Sequence, residues 1–322
     1  MLRLIPSHPL DANRPWTLIQ DHLNDLPIGE PLSSFTPISD VLSLTPLSPR
    51  RKTHIMSILN LTPDSFSDGG DHKSTSLQTT LDVILSSGAS IVDIGGQSTA
   101  PGREEVSAEE ELSRVLPAIE QLRSSPPGRA ITISVDTYRA SVAEKAIAAG
   151  ADMINDVSAG TLDPDMLPTV ARLGKTICLM HMRGNPRTMN DLTAYPDGLI
   201  PTVAAELLER VAAAEAAGIR RWRIVLDPGI GFAKSYEQNL ELLRDAAELR
   251  RWPGLEGLPW LVGTSRKGFV GKATGVKEPK ERDWGTAATV AAAVQGGADV
   301  VRVHDGREMG LVTRMSDAIW RS

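Results

Sequence analysis

The sequence predicts an α/β protein, a (β/α)8 TIM barrel preceded by a non-barrel N-terminal segment. Three observations carry that prediction. From residue 54 onward, eight short apolar runs alternate with stretches of helical spacing. Three of the helical stretches end in glycine just before the next run, at Gly88, Gly150 and Gly297. Nearly every run also ends in a polar residue, the position where this fold places its chemistry.

The expected strands are His54–Leu59, Ser90–Ile94, Ala130–Asp136, Asp152–Asp156, Thr176–Met180, Arg223–Asp227, Trp260–Gly263 and Asp299–His304. They are near-continuous apolar runs, as strands covered by helices on one face and packed on the other should be. Helices are expected over Ser107–Leu122, Arg139–Ala149, Val203–Ala217, Tyr236–Leu249 and Trp284–Gln295. Glycine at their ends supplies a left-handed cap without a Cβ penalty. Pro126 to Gly128 and Trp252 to Pro259 read as short loops. An open doubly wound sheet is the alternative, but no glycine-rich dinucleotide fingerprint follows a strand.

The chain has 322 residues and a net charge of -6, a length ordinary for one α/β barrel. Mild acidity argues against nucleic-acid binding, whose footprint is a basic stripe. A single cysteine, Cys178, excludes an internal disulfide framework and fits a reducing compartment, the cytoplasm or the mitochondrion. No apolar run is long enough to span a bilayer. Residues 1–52 are rich in Pro, Ser and Leu without a sustained period. They read as a linker or the remnant of a preceding domain, with an arm packed on the barrel as the alternative. The barrel is assigned to residues 53–322.

The candidate site follows from the strand ends: Asn60, Asp93, Asp136, Asn155, His181, Asp227, Ser265 to Lys267, Arg302 and His304. Polar groups there are costly unless a ligand, water or neighbour satisfies them. Asp93 and Asp156 are equally readable as caps of the following helices. Arg302 and His304, two residues apart on one strand, point to the same face. An arginine inside a barrel needs an anion, either a phosphate, which this fold often binds after strands seven and eight, or an acidic side chain. Lys267 is readable as a Schiff-base nucleophile or as a donor to a ligand carbonyl. Gly268 would let a ligand approach the backbone closely. Amides beside it could receive a carboxylate. His181 has no second histidine or cysteine at ligand spacing, which argues against a metal there. The loop from Asn60 to Gly70 carries a bulky Phe66 among small and turn-forming residues, as a lid over a ligand would.

These segments resemble dihydropteroate synthase over roughly residues 53–320. The matching pieces run from Ile58 to Gly70, Asp93 to Thr99, Ser134 to Thr137, Ile154 to Asp156, Leu179 to Met182, Leu226 to Phe232, Thr264 to Lys267 and Val301 to Asp305. The segment from Pro15 to Leu23 resembles the end of a pterin pyrophosphokinase domain. That kinase precedes this synthase in fungal multifunctional folate proteins. The resemblance implies a fungal-type transferase of folate biosynthesis. Such an enzyme joins 4-aminobenzoate to 7,8-dihydropterin pyrophosphate, releases pyrophosphate, uses Mg2+ and is a target of sulfonamides. It also implies a homodimer and natural fusion to the kinase.

Residue by residue, the resemblance assigns Asp136, Asn155, Asp227 and Lys267 to the pterin. Phe66, Thr99, Pro101 and Gly268 go to 4-aminobenzoate. Asn60, Thr99, Arg302 and His304 go to pyrophosphate, with Asn60 as the metal ligand. Asn60, Lys267, Arg302 and His304 would then carry the catalysis. One position departs from the family. Its second loop usually reads Ser-Thr-Arg-Pro, whereas Ala100 stands here in place of the arginine, with Arg103 three residues on. Corrinoid methyltransferases, Schiff-base aldolases and a non-catalytic assembly module are the competing readings. The intact first loop with Arg302 and His304 favours the synthase.

Overall fold

Eight parallel strands form the centre of the protein, which we describe from a computed structural model covering residues 35–62, 76–97 and 105–321. The strands are β1 (His54–Asn60), β2 (Ile91–Gly95), β3 (Thr132–Asp136), β4 (Met153–Asp156), β5 (Thr176–Met180), β6 (Ile224–Asp227), β7 (Leu261–Val262) and β8 (Val300–Val303). Their order in the sheet is β6-β5-β4-β3-β2-β1-β8-β7, and every neighbouring pair is parallel. A parallel bridge from Leu226 to Trp260 joins the two ends into a barrel. All eight expected strands are present.

Alternation along each strand sorts the side chains into two cores. Val92, Ile94, Val135, Ile154, Leu179 and Val301 belong to the large core under the helices. Met56, Ile91, Met153, Cys178, Val225 and Val300 form a second cluster at the strand starts, inside the barrel. Two residues further along the same inward face come the polar groups. Ile91 is followed by Asp93, Met153 by Asn155, Val225 by Asp227 and Val300 by Arg302. The period of two therefore turns an apolar floor into a charged mouth.

The helices begin and end where local chemistry dictates. Ala108–Ser124 starts at Ser107, whose hydroxyl accepts the Glu110 amide. It carries three glutamates in its first turn and Arg123 in its last, matching the helix dipole. Tyr236–Arg244 starts with a capping box between Ser235 and Gln238. Gly88, Gly150 and Gly297 adopt φ values of 81°, 117° and 99°, the conformation the sequence asked of them.

Three expectations need correction. Pro126–Ala130 is a short helix and not a loop, because Ser125 caps it and proline suits the first helical position. The expected helix Tyr236–Leu249 breaks at Asp245, beyond which Ala246–Arg250 forms a separate turn of helix. The third concerns residues 35–52, read as part of a linker. Thr36–Pro37 and Ser43–Leu44 pair as an antiparallel hairpin, and Ile38 and Leu44 complete the apolar floor of the barrel. Arg51 pairs with buried Asp299 at 2.9 Å. These residues belong to the same compact unit as the barrel, Ser34–Ser322, so the arm alternative describes them better. Residues 1–34 lie outside the described residues.

Candidate active site

The site is built on charge balance inside the barrel mouth. Asp93 is fully buried, Asp136 is 8% exposed and Asp227 is 7% exposed. Such carboxylates need partners. Arg302 supplies two of them at once: its Nε donates to Asp93 Oδ2 at 2.6 Å and its Nη2 to Asp136 Oδ2 at 2.7 Å. Asn155 Nδ2 also donates to Asp93 Oδ2 at 3.0 Å. Asp93 is therefore not the helix cap it resembled. Asp156 does not cap the following helix either, whose N-cap is Asp165; its carboxylate closes the turn after β4 by receiving the amides of Ser158 and Gly160.

Lys267 approaches from the loop after β7. Its Nζ donates to the carbonyl of Ile230 and lies 4.9 Å from the centre of the Phe232 ring. Burial lowers its pKa to about 8, against the pull of Asp227. Asp227 is pushed above the usual carboxylate range by burial, with Lys267, Lys234 and Arg302 opposing. Asp136 is pushed up to about 7 by burial, with Arg302 opposing and Asp93 adding to the rise. Its Oδ1, buried, meets no partner among the described residues, and neither does Asp93 Oδ1.

A cavity of about 940 Å³ opens above these groups. Asn60, Asp136, Lys267, Gly268, Arg302 and His304 line it. Its volume lies in the range of small-ligand sites, about 300–1,000 Å³. Nothing lies within 4 Å of where a Gly268 Cβ would be, which leaves that backbone open to a ligand. His304 faces the open mouth, and its Nδ1 lies 2.9 Å from Ser265 Oγ. Arg266, held at φ 61°, pairs with Asp305 at the edge of the cavity. That leaves Ser265 and Lys267 facing inward.

Asn60, Asp136, Asn155, Asp227, Lys267, Gly268, Arg302 and His304 are thus gathered at one end of one barrel. Phe66, Thr99 and Pro101, with Ala100 and Arg103, lie outside the described residues. Among those described, no group of three or more histidine, cysteine or acidic side chains could hold a metal. No described helix is long and apolar enough to cross a membrane. Cys178 is free and buried in the barrel floor.

His181 departs from the mouth. Its Nε2 lies 2.8 Å from Glu206 and its Nδ1 2.9 Å from Lys234 Nζ. Glu206 in turn holds Arg183. Sequence reasoning missed Lys234 and Glu206. Lys234 lies two residues past the glycine-rich turn that ends at Phe232, and Glu206 sits inside a helix with no outward sign of a partner.

The comparisons agree with this geometry. Residues 56–304 match the model of the family described as pterin binding enzyme. The chain belongs to that family. It is 51% identical to the folic acid synthesis protein fol1 of Pneumocystis carinii over 269 residues, 84% of this chain and 36% of that protein. The chain thus spans about a third of the length of that relative. It is 49% identical to the dihydropteroate synthase of a Synechocystis strain, over 84% of this chain and 91% of that enzyme. Among solved structures, Xanthomonas albilineans dihydropteroate synthase with 4-aminobenzoic acid superposes with a TM-score of 0.77. The two are 39% identical, and the match covers 89% of this chain and 98% of that one.

Burial and Lys234 push the His181 pKa down to about 4. A base whose folded pKa is depressed is stabilising when neutral, and that stability is lost as pH falls from 6.5 through 4. Urea denaturation at pH 7.5 and 5.0 should show wild type losing more stability than His181→Gln, by on the order of 1–2 kcal/mol. Equal losses would contradict the buried neutral imidazole.

Proposed function

We infer that this chain is a dihydropteroate synthase, condensing 4-aminobenzoate with 7,8-dihydropterin pyrophosphate. The observation that carries the reading is the set of buried acceptors under the cavity: Asp136, whose Oδ1 has no partner among the described residues, Asn155 with its amide nitrogen committed to Asp93, and Asp227. A 2-aminopyrimidinone edge presents adjacent N–H donors, and ionised acceptors bind them strongly. Lys267 would donate to the O4 or N5 side of the same ring.

The pyrophosphate would face Asn60, Arg302 and His304. Arg302 spends two of its donors on Asp93 and Asp136. A guanidinium has five, so donors remain for an anion. 4-Aminobenzoate would lie toward Gly268, with Phe66, Thr99 and Pro101 closing its pocket. A solved relative with 4-aminobenzoic acid supports that substrate. Sulfonamides share the aryl amine and would compete there. In the reaction the bond from the pterin methylene to the pyrophosphate oxygen breaks and the leaving group takes the electron pair. The aryl amine forms the new C–N bond and gives up a proton. Arg302 and His304 stabilise the departing charge.

The donor set fits Mg2+ carried by the substrate and not a protein-caged ion. Mg2+ keeps waters and takes substrate phosphate oxygens, so one neutral oxygen from Asn60 suffices. When bound, the ion would supply further neutralisation of the leaving group. A reducing compartment, cytoplasmic or mitochondrial, suits the single thiol. Fusion in nature to a pterin pyrophosphokinase is part of this reading; a relative named as a folate synthesis bifunctional protein, from Arabidopsis thaliana, supports a fused partner.

We also propose a homodimer. On the last helix, Gly306–Trp320, the residues Leu311, Met315 and Ile319 repeat every four positions and are 60%, 62% and 54% exposed. An apolar stripe of this kind marks an interaction face. Sedimentation equilibrium should give dimers for wild type and monomers for Met315→Asp. A monomeric wild type would defeat the proposal.

The enzymatic reading is tested by pyrophosphate release from dihydropterin pyrophosphate. Release should require both 4-aminobenzoate and Mg2+ and yield dihydropteroate. Asp227→Asn should weaken pterin binding by about 10- to 100-fold, the loss expected for a hydrogen bond to a charged group. No release, or an unchanged dissociation constant in calorimetry, would overturn these assignments.

A further inference from the structure

Two lysines, the buried Lys234 and the half-buried Lys267, grip the turn that follows β6. Asp227 Oδ1 accepts the Gly229 amide at 2.7 Å, and the Phe232 amide bonds back to Gly229 at 3.0 Å. From one side, Lys267 donates to the carbonyl of Ile230. From the other, Lys234 Nζ donates to the carbonyl of Phe232 at 2.9 Å. Lys234 is 9% exposed, and its Nζ lies 3.4 Å from where a Gly229 Cβ would stand. The same Cβ would collide with the His181 carbonyl at 1.9 Å. Glycine there is what lets the ammonium, the histidine strand and the Asp227 turn pack together.

The second partner of Lys234 is set by the residues behind it. Glu206 takes His181 Nε2 at 2.8 Å and is itself anchored by Arg183. A carboxylate at Nε2 places the ring proton there, which leaves the Nδ1 lone pair facing Lys234. The ammonium therefore has a neutral acceptor and a carbonyl and, among the described residues, no carboxylate in contact. Its charge acts across the turn on Asp227, and more weakly on Glu206.

We propose that Lys234 is a positioning residue for pterin recognition: it fixes the turn after β6 and lends its positive charge to Asp227, without touching the ligand's acceptor edge. This rests on the dihydropteroate synthase reading. The other groups that face Asp227 are Lys267 from the β7 loop, Arg302 from β8 and the Cys178 thiol from β5. Removing one of three cations should make Asp227 easier to protonate, so that binding is lost at a higher pH. Lys234 itself is about half charged at neutrality and largely charged a unit below it, since burial brings its pKa down to about 7.

The test is calorimetric titration of dihydropterin pyrophosphate into wild type, Lys234→Met, Lys234→Gln and Lys234→Arg between pH 5 and 8, with thermal unfolding alongside. Lys234→Gln keeps a donor to the Phe232 carbonyl without the charge and decides the matter if Lys234→Met fails to fold. The acid midpoint of binding should rise by about one unit in the Met and Gln variants, which should bind up to about tenfold more weakly below the wild-type midpoint. Lys234→Arg should restore the midpoint. Unchanged affinity in Lys234→Gln, or weaker affinity with an unmoved midpoint, would overturn the proposal and leave Lys234 a packing residue. A wild type that binds no pterin at any pH would instead overturn the functional reading.

Discussion

Everything at the barrel mouth depends on Arg302 lying between Asp93 and Asp136. Asp93 is sealed from water, and a lone carboxylate could not remain charged there. One guanidinium, reaching across from β8, satisfies both acids with two directed bonds. A lysine could not do this with the same geometry, because it offers a point charge and not a planar fork. Around this triad the balance is completed by Asp227 with Lys267 and Lys234. Three acids face three cations in a space with little solvent. Burial and charge thus produce groups that titrate near neutrality, Asp136 at about 7 and Lys267 at about 8, as functional sites often do.

The scaffold beneath is arranged to make that possible. The apolar floor formed by Met56, Ile91, Met153, Val225 and Val300 is closed from below by Ile38 and Leu44 of the hairpin. With water excluded from that end, the polar layer is reached only from the mouth. The same strand alternation that buries the floor delivers the charged layer two residues later. Fold and site are two consequences of one pattern.

That pattern is why so much was legible in the sequence. Apolar runs of five or so residues, most of them ending in Asn, Asp, Arg or His, marked both the strands and the side of the barrel that carries chemistry. Asn60, Asp136, Asp227, Lys267 and Arg302 could be chosen from position alone. What could not be chosen were pairings between distant elements. Asp93 looked like a helix cap because a cap needs only local sequence, whereas its true partner lies 209 positions away. His181 looked like a mouth residue because it ends β5, but Glu206 and Lys234 draw its ring into a separate network. The hairpin at residues 36–44 has strands of two residues, too short to leave a period. The break at Asp245 is a single residue's backbone conformation inside an otherwise helical pattern.

The claim at the centre is that Arg302 and Asp93 stabilise the barrel as a pair. A double-mutant cycle with Arg302→Met, Asp93→Asn and both together, read by urea denaturation at pH 7, measures it directly. Strong non-additivity is expected: the double change should cost less than the sum of the two single changes, by a coupling of about 1–3 kcal/mol. Additive losses, with no coupling between the two positions, would contradict it.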